Sequence, residues 1–166
     1  MPRGYISIGS NIDKEAHIPC CLNTLKKLFG PLTVSSVYES EAVGFIGGVF
    51  HNLVVGFDSD LSAKQVAQIL RQIELEHGRS RQSQKFSSRT LDLDLILYGN
   101  EIIQEDGLFL PRPEIEEYAF VLEPLAEIAG LLEHPVSGKT YEQLWNQADY
   151  VKGKQHKVMP DWMLNK

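Results

Sequence analysis

The sequence predicts an α+β protein in which one antiparallel sheet carries two helices on one face. Short stretches rich in β-branched and aromatic residues alternate with stretches of helical periodicity, in the order strand, helix, strand, strand, helix, strand. The length of 166 residues suits a single domain, and 43% hydrophobic with 23% charged residues is an ordinary globular composition. This order of elements is that of the ferredoxin-like βαββαβ sandwich, followed here by a C-terminal extension.

The first half of the chain supplies two strands and a helix. Residues 5–8 (YISI) form an apolar run that ends at a glycine turn, and they predict the first strand. The first helix is expected over residues 19–28, with Pro19 at its first position. Residues 33–38 (TVSSVY) predict the second strand because they are β-branched and aromatic. The apolar stripe of the helix is expected to consist of Leu22, Leu25, Leu28 and Phe29.

The second half of the pattern repeats these element types. Residues 52–57 (NLVVGF) predict the third strand. Ser62 is expected to begin the second helix, because Gln65 follows three positions later in a capping-box pattern, and Gly78 is expected to end it. Residues 91–98 predict the fourth strand, which completes the βαββαβ order.

The C-terminal extension has weaker signals. Residues 108–110 are expected to be extended, and residues 116–129 to be helical with an interruption at Pro124. A short helix is expected to begin at Thr140. The polar tail, residues 146–166, is counted as part of the single domain, and the sequence leaves its order open.

The fourth strand alternates apolar and acidic residues with a period of two. Successive side chains of a strand point to opposite faces, so Asp92 and Asp94 share one face, about 7 Å apart along the strand. Because both helices should pack on the apolar face, the aspartates are expected on the open face, where a ligand can reach them. The apolar face is expected to hold Leu91, Leu93, Leu95 and Leu97.

A basic segment without acidic residues precedes this strand, and its cations are Arg79, Arg81, Lys85 and Arg89. Two close carboxylates repel each other unless a cation lies between them, and arginine binds phosphate oxygens in bidentate fashion. The combination therefore fits a polyphosphate carried with Mg²⁺. Taken separately, the two features also fit an amphipathic strand and a solvated loop.

The remaining composition disfavours several classes of protein. A net charge of −6 argues against nucleic acid as the main partner. No apolar run approaches the ~20 residues of a membrane span, and the N-terminus lacks the apolar core of a signal peptide. Adjacent Cys20 and Cys21 form neither a disulfide framework nor a metal motif, which fits a reducing cytoplasm.

Several motifs occur in the order and spacing of one enzyme family. They are YISIGSN at residues 5–11, VSSVY at 34–38, Glu74 with Gly78-Arg79, and RTLDLD at 89–94. On these motifs the chain resembles 6-hydroxymethyl-7,8-dihydropterin pyrophosphokinase over about residues 4–145. The resemblance implies the sandwich described above and transfer of pyrophosphate from ATP to the pterin hydroxymethyl group, which releases AMP in folate biosynthesis.

The resemblance also implies a set of site residues. Asp92 and Asp94 would bind two Mg²⁺ ions, and Arg79 and Arg89 would join them in catalysis. Contacts with ATP are expected from Glu74, Arg79, Arg81, Lys85, Arg89, Leu95 and Arg112. The pterin is expected to stack between Phe50 and Phe120, with Phe86 as a further contact. Its polar edge is expected to be bound by Asn52 and by the backbone around Ser40, Glu41, Ala42 and Val43.

This chain departs from the family pattern at three notable positions. Phe86 replaces a tryptophan, Arg112 stands between two prolines where histidine is common, and Tyr118 replaces an arginine. One alternative is therefore a paralogue that binds pterin or nucleotide without efficient transfer. A second is an RNA-binding module, which needs exposed aromatics on the sheet and usually a basic surface. The expected partners are small molecules, and the expected form is a cytoplasmic monomer that binds neither nucleic acid nor membrane.

Overall fold

The computed structural model describes residues 2–41, 49–78, 91–105, 107–148 and 155–164, with the side chains of Glu41 and Leu164 excepted. The strands are β1 (Arg3–Ser10), β2 (Thr33–Val34), β3 (Val37–Glu41), β4 (Val49–Asp58), β5 (Asp92–Tyr98), β6 (Ile103–Glu105), β7 (Leu108–Leu110) and β8 (Gln155–Val158). The helices are α1 (Lys14–Phe29), α2 (Ala63–Glu76), α3 (Glu114–Glu117), α4 (Ala119–Ala129), α5 (Tyr141–Gln147) and α6 (Asp161–Leu164).

The main sheet has the strand order β5-β1-β4-β3-β8, and each neighbouring pair is antiparallel. The first four of these strands, with α1 and α2, form the βαββαβ sandwich that the sequence predicts. Strand β2 pairs with β4 beside β3, and β6 with β7 forms a separate hairpin. The tail contributes β8 to the free edge of β3, so part of residues 146–166 packs on the domain.

Helices α1 and α2 cover one face of the sheet, as predicted. The core between them contains Ile6 and Ile8 of β1, Leu53 and Val55 of β4, and Leu93 of β5, all at most 4% exposed. The helices contribute an apolar stripe from each side, which is Ile18, Cys21, Leu22 and Leu25 from α1 and Ala63, Val66, Leu70 and Ile73 from α2. Burial of these side chains is the main stabilising contribution to the sandwich.

The opposite face is partly covered by the C-terminal extension. Val54 of β4 and Ile96 of β5 pack there against Val121 and Leu125 of α4 and against Tyr141 of α5. The expectation of an open second face is therefore met at only one end of the sheet. The strand sequences do not predict that this face is covered, because the covering helices, α4 and α5, follow the sandwich in the chain.

A bulge in β5 accounts for the second apolar cluster. Ile6 pairs with Leu95 and Tyr5 pairs with Leu97, so Ile96 is the extra residue between them. Leu95 packs in the core under α1 and α2, whereas Ile96 and Leu97 both pack on the other face. The expectation that Leu97 shares a face with the earlier leucines was wrong, since an inserted residue reverses the alternation.

Helix α1 begins earlier than the sequence suggested. It runs from Lys14, with Asp13 in the left-handed region at φ 51°, and Pro19 lies inside it rather than at its start. Proline interrupts the helix ladder by lacking an N–H, but the apolar face still packs on the sheet and keeps the segment helical. Leu28 is 52% exposed and does not belong to the buried stripe.

The predicted strand 33–38 is divided at Ser35. The Ser35 N–H donates to the Val54 carbonyl at 3.0 Å, and the Val54 N–H donates to Ser35 Oγ at 2.9 Å. A side chain therefore takes the place of a ladder acceptor, and the chain leaves the regular pairing between β2 and β3.

The C-terminal helices also differ from expectation. The single helix expected over residues 116–129 is two helices, α3 and α4, separated by Tyr118 in extended conformation. Pro124 lies inside α4 and does not end it. The capping boxes at Ser62 and Thr140 are both present, so the predicted starts of α2 and α5 are confirmed.

Glu127 joins α4 to the sheet. Its carboxylate accepts hydrogen bonds from the Ser36 N–H at 3.1 Å, from Ser36 Oγ at 2.8 Å and from the buried Tyr38 hydroxyl at 2.8 Å. Burial and the nearby Glu127 charge raise the pKa of Tyr38, so this hydroxyl remains a donor at neutral pH. Glu127 thus adds polar contacts to the apolar packing that holds α4 on the sheet.

We expect Glu127→Ala to lower the free energy of unfolding by about 2–3 kcal/mol, because the buried Tyr38 hydroxyl and the Ser36 groups lose their acceptor. Urea denaturation followed by circular dichroism measures this. Glu117→Ala, which removes an exposed carboxylate from α3, is the matched control and should change stability by less than about 0.5 kcal/mol. Equal effects of the two substitutions would contradict a role for Glu127 in holding α4.

Candidate functional site

Asp92 and Asp94 lie on the sheet face that α4 and α5 only partly cover. In the pairing of β5 with β1, Asp92 lies opposite Gly9 and Asp94 lies opposite Ser7. Both aspartates are half-buried, and the Asp94 side chain is 43% exposed. The two carboxylates therefore share one face and reach solvent, which is the placement that the period-two pattern predicts.

A row of facing residues runs from Asp92 across four strands. Gly9 pairs with both Asp92 and Asn52, and Asn52 pairs with Tyr38. Neighbouring strands lie roughly 4.8 Å apart, so the backbones at Asp92 and Asn52 are separated by about 10 Å. Gly9 places no side chain between them. A small molecule thus has the length to extend from the aspartates to Asn52, which is itself 5% exposed.

Gly9 is needed for the shape of this row. A Cβ at Gly9 would lie 2.7 Å from Asn52 Oδ1, which is closer than atoms of this kind approach. Its φ is not in the left-handed region, so the requirement for glycine comes from space and not from backbone conformation. The sequence predicts a turn at Gly9, whereas Gly9 lies within β1, and its close approach to Asn52 depends on strand pairing.

The candidate stacking rings occupy the same face. Phe50 lies two residues before Asn52 in β4 and pairs with Ser40 of β3. Phe120 lies in the first turn of α4, where its ring stacks on Tyr118 with centroids 4.9 Å apart and planes at 20°. Both phenylalanines are half-buried, so each keeps some accessible ring surface.

The tail supports the start of α4. Gln155 of β8 pairs with Ser40, and its side-chain Nε2 donates to the Ala119 carbonyl at 3.0 Å and to Glu123 Oε1 at 2.9 Å. These bonds flank Phe120 in the chain. Nothing in the sequence marked Gln155, since its partners lie more than thirty residues away.

Two residues expected to contact ATP are buried in this structure. Glu74 is 8% exposed, and its Oε2 accepts the Leu93 N–H at 2.7 Å, which ties the end of α2 to β5 beside the aspartates. Leu95 is 4% exposed and packs in the core under α1 and α2, on the face opposite Asp94. The Leu95 side chain is therefore directed away from the aspartate face.

Arg112 brings a cation to the aspartates. Its Nη2 lies 4.0 Å from Asp94 Oδ1 and also forms an ion pair with Glu114 Oε2. Burial by itself would lower the pKa of Arg112, but the charges of Asp94, Glu114 and Asp92 outweigh burial and raise it. The guanidinium is therefore firmly charged. Glu114 was not singled out from the sequence, because an acid following Pro113 has no distinguishing pattern.

Several predicted site residues lie outside the described part of the chain. They are Ala42, Val43, Arg79, Arg81, Lys85, Phe86 and Arg89, together with the side chain of Glu41. The backbone of Glu41 ends β3, where it pairs with Val49. The described residues thus bring together the aspartates, Arg112, Asn52, Ser40 and the start of α4.

The aspartate pair fits Mg²⁺ by its chemistry. Carboxylate oxygens are the ligands that this ion prefers, and it is usually held by one or two carboxylates with water and substrate phosphates. Among the described residues, no group of three or more His, Cys, Asp or Glu could hold a metal ion. Among these residues, Asp92 and Asp94 would supply two ligands, and water and a phosphate-bearing substrate commonly complete such a site. In the same residues, no helix has the length and apolar character needed to cross a bilayer.

Comparison with known proteins identifies the family. The family model described as 7,8-dihydro-6-hydroxymethylpterin-pyrophosphokinase (HPPK) matches residues 5–130. The 2-amino-4-hydroxy-6-hydroxymethyldihydropteridine pyrophosphokinase of Haemophilus influenzae is 35% identical over 154 residues, which cover 90% of this chain and 96% of that protein. The protein of the same name from Bacillus subtilis is 34% identical over 151 residues, with 86% and 90% covered.

Some relatives are much longer than this chain. The folic acid synthesis protein fol1 of Pneumocystis carinii is 37% identical over 139 residues, but the match spans only 18% of that protein. The wild-type HPPK-DHPS of Plasmodium falciparum crystallised with pteroate has a TM-score of 0.74 at 12% identity, with 96% of this chain and 46% of that chain covered. This structural likeness concerns the fold alone. The family model and the bacterial relatives, which match over nearly their whole length, show that the chain belongs to the 7,8-dihydro-6-hydroxymethylpterin-pyrophosphokinase family.

Proposed function

We propose that this chain transfers pyrophosphate from ATP to the hydroxymethyl group of 6-hydroxymethyl-7,8-dihydropterin, in folate biosynthesis. The observation that carries the proposal is the row from Asp92 through Gly9 to Asn52 on a partly open face. A phosphate-binding end and a ring-binding end lie about 10 Å apart in this row. This separation suits a triphosphate at one end and a bicyclic ring at the other.

The phosphate end would be built from Asp92 and Asp94, which would hold two Mg²⁺ ions against the phosphates. Bound there, the metal would supply neutralisation of phosphate charge as the bond to the departing AMP lengthens. The pterin hydroxyl oxygen forms a bond to the β-phosphorus, the bond from that phosphorus to the oxygen bridging to the α-phosphate breaks to release AMP, and the hydroxyl proton is released to solvent. Support comes from the exposure of both carboxylates and their position beside Arg112.

The nucleotide would be held by residues on both sides of the aspartates. Arg112 is close enough to Asp94 to bind a phosphate held there by metal. Glu74 would act by fixing the backbone of β5 through Leu93, and Leu95 would act through its backbone. The family resemblance assigns phosphate contacts to Arg79, Arg81, Lys85 and Arg89, of which Arg79 and Arg89 would be catalytic.

The pterin would lie between Phe50 and Phe120, because a flat ring stacks well on aromatic faces. Asn52 would read its polar edge, with help from the backbone at Ser40 and from Glu41, Ala42 and Val43, while Phe86 would lie against the ring. Support comes from the shared face of Phe50, Ser40 and Asn52, and from the attachment of α4 to that face through Glu127. Few polar groups suffice to orient such a ligand.

The proposal also covers the oligomeric state, the cellular location and the type of partner. We infer a monomeric, cytoplasmic enzyme that acts on small molecules and not on nucleic acid. The support is a net charge of −6 and two thiols that are both free, Cys20 exposed and Cys21 buried. Light scattering of the purified protein at assay concentration tests the monomer.

The activity is tested by incubating the protein with ATP, Mg²⁺ and 6-hydroxymethyl-7,8-dihydropterin and measuring AMP. We expect AMP and the pterin diphosphate in equal amounts, and no AMP when the pterin or the metal is omitted. Binding of pterin or ATP analogue in calorimetry without AMP formation would instead favour the paralogue that binds without transfer. The departures at Phe86, Arg112 and Tyr118 are the reason to make both measurements.

A further inference from the structure

We propose that Arg112 is a built-in counter-ion of the aspartate pair, which competes with divalent metal until nucleotide arrives. The proposal rests on the function above, because it needs Asp92 and Asp94 to be the metal ligands. It goes further by giving Arg112 two opposite effects. The guanidinium would weaken metal binding to the free protein and strengthen binding of the metal–nucleotide complex.

The position of the guanidinium carries the first effect. Nη2 of Arg112 lies 4.0 Å from Asp94 Oδ1, which is one of the two carboxylate oxygens that could bind a metal. A divalent cation at Asp94 would lie beside a fixed positive charge, and the two would repel each other across a short distance. The Arg112 side chain is only 24% exposed, so water screens this repulsion incompletely.

The backbone holds Arg112 in this place. Its N–H donates to the Ile96 carbonyl at 3.1 Å, two residues beyond Asp94 on the same strand. Pro111 and Pro113 on either side restrict the backbone further, and Glu114 forms an ion pair with the guanidinium. The backbone of Arg112 is therefore held beside β5, and Glu114 helps to orient the guanidinium.

The second effect follows from the charge of the nucleotide. The triphosphate and the two aspartates together carry more negative charge than two Mg²⁺ ions neutralise, and a guanidinium beside them then attracts the metal–nucleotide complex. The Nε–H of Arg112 is buried and has no hydrogen-bond partner among the described residues. The protein therefore does not use all of the donors of Arg112. Removal of Arg112 should therefore change the two affinities in opposite directions, which a purely structural role would not do.

The test measures Mn²⁺ binding by electron paramagnetic resonance, first without nucleotide and then with a non-hydrolysable ATP analogue. In Arg112→Gln we expect about tenfold tighter Mn²⁺ binding to the free protein, and about tenfold weaker binding of the analogue at saturating metal. Arg112→Lys keeps the charge and should retain most of both effects. Lys27→Gln removes the same charge from an exposed position on α1 and should change neither affinity.

Unchanged or weaker Mn²⁺ binding in folded Arg112→Gln would overturn the proposal. Thermal melting shows whether that variant folds, and Arg112→Met, which removes the charge without adding a nitrogen or oxygen ligand for Mn²⁺, takes its place if it does not. Failure of the proposed function is a separate outcome. A wild-type protein that forms no AMP would refute the reaction, whereas the Mn²⁺ comparison would still decide the competition between Arg112 and metal.

Discussion

Asp94→Ala is expected to lower AMP formation by about 10³-fold or more, while the fold survives. Asp94 would bind metal on the half-open face, so its loss removes charge neutralisation worth several kcal/mol in the transition state, and each 1.36 kcal/mol is a factor of ten in rate. The side chain is 43% exposed and lies outside both apolar clusters, so its removal leaves the packing intact. Initial rates at saturating ATP and pterin measure the effect.

The matched control is Asp60→Ala, which removes an exposed aspartate beyond the opposite end of β4. It should retain full activity and the same melting temperature. Asp94→Asn keeps the shape of the side chain but loses its charge, and we expect it to be almost as inactive as the alanine variant. Near-normal turnover in Asp94→Ala would show that the aspartate pair is not the metal site.

Gly9→Ala is expected to raise the KM for the pterin by about 10- to 100-fold with little change in ATP binding. The new Cβ would lie 2.7 Å from Asn52 Oδ1, so the Asn52 amide must turn away from its position on the face. Because this atom is the end of a flexible side chain, stability should change little. A misplaced amide loses a hydrogen bond to the pterin and leaves polar groups poorly paired, which costs about 1–3 kcal/mol.

A double-mutant cycle with Asn52→Ala tests this explanation. If Gly9 acts through Asn52, the double variant should bind pterin no more weakly than Asn52→Ala alone. Additive effects would mean that Gly9 acts on the ligand by another route. Ordinary pterin affinity in Gly9→Ala, measured by calorimetry with the ATP analogue present, would remove Asn52 and Gly9 from the pterin end.

The aspartate pair was predictable because its signal is local. Period-two alternation fixes which side chains of a strand share a face, and Asp92 and Asp94 required nothing beyond their own strand. The capping boxes at Ser62 and Thr140 were predictable for the same reason, since each involves residues three positions apart. The βαββαβ order followed from these local signals taken together.

The features that sequence reasoning missed depend on distant partners. The β5 bulge is visible only against β1, and the space around Gly9 only against β4. Arg112 was expected to contact nucleotide, but its ion pairs with Asp94 and Glu114 required the fold. For Pro19 and Pro124 the local signal was misleading, because a proline was expected to begin or interrupt a helix. Both prolines lie inside helices, whose apolar faces pack on the sheet.

The extra residue in β5 has a consequence for how this strand tolerates change in length. Before Ile96, the strand presents the carboxylates of Asp92 and Asp94 to the partly open face of the sheet. After Ile96, Leu97 faces α4, and the Tyr98 hydroxyl donates to the carbonyls of Ser59 and Leu61. Loss of Ile96 would remove the bulge and leave Leu95 opposite Ile6 and Leu97 opposite Tyr5, so the aspartates and the residues downstream would keep their faces. Deletion of Ile96 should therefore be tolerated better than deletion of Leu93, which would place Asp92 and Asp94 on opposite faces of the sheet.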